Sequence, residues 1–108
     1  MAREIGESDW KLLRQLHPLA LERFCEHVLS DVSRLVSDTG KSAHVRYVAV
    51  FKLLQRRDKE LAEAFDDLRR STAWRQLAVI HSRGLLTEEE FARFSPETRG
   101  AVQVFLGV

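Results

Sequence analysis

The chain has 108 residues, of which 44% are hydrophobic and 31% charged, with 17 lysines and arginines against 16 acids. That balance is too apolar for a disordered chain, and a formal charge of +1 gives no whole-molecule attraction for nucleic acid or an anionic membrane. The single cysteine, Cys25, excludes an internal disulfide and suits a reducing compartment, so a cytoplasmic location is expected.

The opening MAREIGESDW lacks the apolar run of a secretory signal. Charged residues interrupt every apolar stretch well before the roughly 18 to 20 residues of a membrane span, so no membrane association is expected. A chain of this length suits a single domain, residues 1–108, built around one core.

With two prolines, five glycines and almost no strand signals, the pattern predicts helices joined by short turns. Ser8 is a good N-cap for a first helix that carries Asp9 in its first turn and Trp10, Leu13 and Leu16 on one side. Pro18 is predicted to end that helix after His17 and to open the next, because proline suits a first helical position and disfavours helix before it. The second helix carries Leu21, Phe24, Cys25, Val28, Val32, Leu35 and Val36 at spacings of three and four. Asp38, Thr39 and Gly40 supply a turn, and Ser42 a cap.

Residues 43–70 contain neither proline nor glycine and predict one long helix or two abutting ones. Tyr47, Phe51, Leu54, Leu61, Phe65 and Leu68 keep a seven-residue rhythm, and Val45, Val48, Val50 and Leu53 add apolar groups around the circumference. Residues 45–54 are therefore expected at the centre of the fold. Asp58 occupies the rhythm position between Leu54 and Leu61. The favoured reading is an exposed stretch or a break there, and the alternative is a carboxylate on the seam that selects a register or a partner.

Ser71 and Thr72 precede a helix bearing Trp74, Leu77, Ala78 and Ile80, which Gly84 should end in a left-handed C-cap. Thr87 and Glu90 form a capping box, with Phe91 and Phe94 facing inward. Ser95 and Pro96 start a last helix with Ala101, Val102, Phe105 and Leu106. The fold class is all-α: a compact helical bundle or orthogonal array of five to six helices with a long central helix or helix pair.

The chemistry-bearing residue types form no working set. His17, His27, His44 and His81 are scattered, and Cys25 and His27 point away from each other on a helix, so no metal ligand set is expected. Ser8, Ser42, Ser71 and Ser95 sit at cap positions, and Gly40-Lys41-Ser42 lacks the glycines and the strand of a phosphate loop. No Glu-x-x-His motif occurs among the acid pairs. Neither a catalytic residue nor a cofactor is expected, and elimination leaves a non-enzymatic protein–protein interaction or regulatory module.

The candidate interaction surface is Trp74 together with Val102, Phe105 and Leu106 of the charge-free ending, residues 101–108, which an isologous homodimer would cover; the other reading is that Trp74 is a core residue and the ending frays or docks in cis. The alternative is a nucleic-acid-associated protein using a basic stripe of Arg56, Arg57, Lys59 and Arg70 on the long central helix. Interleaved Asp58, Glu60, Glu63, Asp66 and Asp67 weaken that stripe, because each carboxylate opposes the gain from counterion release.

Overall fold

The computed structural model describes residues 4–107. Among them are five α-helices and no strands: α1 Glu7–Ser37, α2 Ala43–Phe65, α3 Ala73–Ser82, α4 Glu88–Ala92 and α5 Pro96–Leu106, with a 3-10 turn at Arg70–Thr72 before α3. The all-α expectation is met. Compactness is not: the molecule measures 57 × 25 × 23 Å with a radius of gyration of 16.8 Å, against about 13 Å for a compact chain of this size.

The elongation begins at Pro18. Instead of separating two helices, it lies inside α1, a single helix of 31 residues. Leu13, Leu16, Ala20, Phe24 and Val28 continue one buried stripe across the proline without a phase change. Pro18 itself is exposed, as is Arg14, whose carbonyl loses its helical donor. Burial of the stripe thus overrides the local breaker. Gly6, not Ser8, is the N-cap of α1.

The N-terminal half of α1, the C-terminal end of α2 and helices α3 to α5 form a base that holds nearly all the core. Leu13, Ala20, Ala64, Ala73, Leu77, Ile80, Leu85, Phe94 and Val102 are buried there. Ile5 joins them from the segment before α1. α2 ends at Phe65, short of residue 70, because Asp67 turns left-handed (φ 58°). The buried amide of Gln76 donates to the Asp66 carbonyl at 2.6 Å and His17 Nε2 to the Phe65 carbonyl at 3.2 Å, so two carbonyls at the helix end are satisfied by side chains.

Ser71 is no cap, since it lies within the 3-10 turn and Thr72 is the N-cap of α3, but the later capping signals appear as read. Gly84 is left-handed (φ 70°), with Leu85 N–H reaching the Ile80 carbonyl, and Thr87 with Glu90 forms the reciprocal box. Ser95 caps α5 with Pro96 behind it. Arg23 of α1 then locks α4 in place, donating to both Glu90 oxygens at 2.7 and 3.0 Å and to the Leu85 carbonyl at 2.9 Å.

Residues 29–52 form an arm: the distal half of α1, the connecting loop and the proximal half of α2. None of these residues is buried. Arg46 staples the tip by donating to the Val36 and Lys41 carbonyls, and Ser42 Oγ accepts from Val45 N–H. The expectation that residues 45–54 sit at the centre is therefore overturned. Only Leu53 of that stretch is buried, while Tyr47 is 70% exposed and Phe51 53%.

Two stability tests follow from this architecture. Pro18→Ala restores a helical hydrogen bond at an exposed position and should stabilise the chain by about 2 kcal/mol in denaturant unfolding. Arg23 beside Glu90 and the Thr87 bonds hold the Glu90 carboxyl down at about 2, below its ordinary 4.5. Its contribution to stability is then complete above pH 4.5 and is lost as pH falls toward 2. A Glu90→Gln variant should show a shallower acid slope than the wild type in pH-dependent thermal melts.

Candidate functional site

The residues singled out by sequence reading divide between the base and the arm. Val102 is fully buried, at 0% exposure, in the contact between α5 and α3, so it is a core residue and not a surface one. Trp74 is half-buried, and its Nε1 donates to Thr98 Oγ1 at 3.0 Å. Phe105 and Leu106 remain exposed at the end of α5.

The Trp74 bond belongs to a buried network with Asp9 at its centre. The Asp9 carboxylate, carried by α1, accepts from Ser95 N–H at 3.0 Å, Ser95 Oγ at 2.5 Å and Thr98 Oγ1 at 2.6 Å. It therefore caps the N-terminus of α5 and not that of its own helix. Burial opposes its ionisation, yet the bonds from Ser95 and Thr98 outweigh that and hold the carboxyl below its usual range. The network explains Trp74 as a structural residue of the base.

The basic stripe is not assembled. Arg57 donates to Asp31 at 2.8 Å and to Glu60 at 3.3 Å, and its guanidinium lies 5.9 Å from the Phe24 ring. Glu60 in turn accepts from Arg83 at 3.0 Å, so these charges tie α1, α2 and α3 together. Arg70 lies on the 3-10 turn, off α2, and donates to Glu7 at 2.8 Å and to the Ile5 carbonyl at 3.3 Å. Arg56 and Lys59 remain exposed on α2 beside Lys52 and Gln55, on a polar side that also carries Asp31, Arg34 and Asp38.

On its other side the arm presents an apolar surface that nothing else in the monomer covers. On α2, Tyr47, Val50, Phe51, Leu54 and Leu61 stand within a narrow arc of the helix, and Leu29 and Val36 flank them from α1. An open cavity of about 330 Å³ lies between Phe24, Cys25, Val28 and Leu29 of α1 and Leu54, Arg57, Asp58 and Leu61 of α2. A second, of about 280 Å³, lies nearer the tip between Val36, Ala43, Arg46, Tyr47 and Val50. Taking about 150 to 250 Å² for an aromatic side chain, the exposed parts of Tyr47, Phe51, Leu29, Leu54 and Val36 sum to roughly 500 Å², toward the top of the range for a monomer's largest apolar patch.

Asp58 lies on this same side, exposed, and α2 continues through it without a break. The sequence pattern places Tyr47, Val50, Phe51 and Leu54 at the centre of the fold and Val36 on the apolar row of its helix, and it does not single out Leu29; the choice for these residues lies between core and seam. The signal that distinguished the two was the seven-residue rhythm, which is the period of a seam between helices and not of a helix enclosed by others.

Among the described residues, no group of three histidine, cysteine or acidic side chains stands close enough to hold a metal ion, and no helix is long and apolar enough to cross a membrane. Compared with known proteins, the chain matches no family model, no curated protein and no solved structure.

Asp9→Asn should weaken the base by about 2 kcal/mol, since the amide can no longer accept from three donors at once. The loss should appear as a lower unfolding midpoint, together with a red-shifted Trp74 emission in a Trp10→Phe background.

Proposed function

We propose that this chain is a non-enzymatic protein–protein interaction module whose docking surface is the apolar face of the arm. The observation that carries the reading is the absence of any buried residue from 29 to 52, in a segment that nonetheless places Leu29, Val36, Tyr47 and Phe51 toward one side, with exposed Leu54 continuing the row at its root. A two-helix hairpin has no interior of its own, so its apolar residues gain full burial only against another surface. Tyr47 borders the cavity nearer the tip and Phe51 stands one turn along α2 from it, and exposed aromatic side chains grouped on one face match the composition of interface centres.

The reading relocates the surface from the end of α5 to the arm while keeping the interaction class. It also accounts for the ion pairs Asp31–Arg57 and Glu60–Arg83, which stiffen the root of the arm and so reduce the ordering cost of docking.

The test is site-specific photo-crosslinking in the native cell. A photoreactive phenylalanine in place of Phe51 should yield discrete adducts of protein mass, and one in place of Arg56, on the polar side, should yield few. Equal labelling from both positions, or no protein adduct from position 51, would remove the reading.

A further inference from the structure

The arm's face carries two complementary features of one chain. Tyr47 and Phe51 project from it as exposed aromatic side chains, and the 330 Å³ cavity beside Leu54 and Leu61 is open toward the same side. On α2 the cavity is lined by Leu54, Arg57, Asp58 and Leu61, and Asp58 lies eleven residues, roughly 16 Å, along the helix from Tyr47. A surface that holds both a projection and a recess at an offset along one axis is self-complementary under a two-fold rotation between them.

Resting on the docking surface proposed above, we infer that its occupant is a second copy of this chain. The two α2 helices run antiparallel across a two-fold axis between Phe51 and Leu54. In this register Phe51 meets the partner's Leu54, and Tyr47 meets the partner's Asp58. Each copy's aromatic side chains enter the recess of the other. Two hairpins then form a closed four-helix layer with no further copy to recruit.

Charge decides the direction and register. Asp58 is the one carboxylate on the stripe formed by Tyr47, Phe51, Leu54 and Leu61. In a parallel in-register pair the two Asp58 carboxylates would face each other, which is repulsive at a seam. In the antiparallel pair each carboxylate meets the partner's Tyr47 hydroxyl, the one hydrogen-bond donor that the stripe supplies. The area is also of the right order: roughly 500 Å² of apolar patch per copy plus a polar rim approaches the 800 Å² or so that each partner of a stable complex contributes.

Size exclusion with light scattering on the full chain is the primary measurement, and a mass of twice 12.5 kDa that persists from low to high salt is the expected result. Tyr47 and Phe51 are more than half exposed, so a Tyr47→Ser/Phe51→Ser variant should keep its helicity and cooperative melt in circular dichroism while the dimer weakens by about a hundredfold. The register is tested by rescue. Tyr47→Glu and Asp58→Lys should each weaken the dimer by about tenfold or more, and the double variant, which sets the introduced charges against each other across the axis, should recover it.

A wild-type monomer at all concentrations would overturn the second copy as occupant. Crosslinks from position 51 to a protein of another mass would in that case leave the docking surface standing. A dimer indifferent to Tyr47→Ser/Phe51→Ser would overturn the arm as its interface, and failure of the double variant to recover would overturn the register.

Discussion

A helix of 31 residues is about 46 Å long, and the molecule is only 25 Å across at right angles to its long axis. No base of this size can cover such a helix over its whole length. The continuity of α1 through Pro18 therefore dictates the rest: one half of the helix is buried under α3, α4 and α5, and the other half leaves with α2 as its sole companion. Everything else about the molecule is an accommodation of that helix. The base is fastened to it by Arg23–Glu90 and Asp9–Ser95, and the arm by Asp31–Arg57.

Much of the local structure was legible in the sequence because capping is a short-range matter. Ser42, Gly84, the Thr87 and Glu90 pair, and Ser95 with Pro96 each act within a few residues of themselves, and each appears where its pattern placed it. Pro18 was misread because the same short-range logic was applied where a long-range one governs. A stripe of buried residues on both sides of an exposed proline outweighs one missing hydrogen bond.

The arm was misread for a related reason. An apolar pattern reports that a helix face wants to be covered, and is silent about what covers it. Tyr47, Phe51 and Leu54 look the same in sequence whether the cover comes from the same chain or from outside it. Distance in sequence hid the base contacts as well. Asp9 reads as an ordinary first-turn acid, and its partners Ser95 and Thr98 lie 86 and 89 residues away. The basic residues failed as a stripe because Arg57 and Arg70 have acids within reach in space, Asp31 and Glu7, that no linear pattern associates with them.

Because Asp9 and Ser95 close the base at both extremities of the described chain, the arm is topologically an excursion: the chain departs along α1, reverses at residues 38–42 and returns along α2. Its length is thus a variable independent of the fold. Adding one heptad to each helix would carry the tip about 10 Å farther out and return the chain to the same entry point with nearly the same helical phase. Such an excursion can change its reach by insertion or deletion while the base keeps every contact, which separates the residues that make this protein stable from those that set how far it extends.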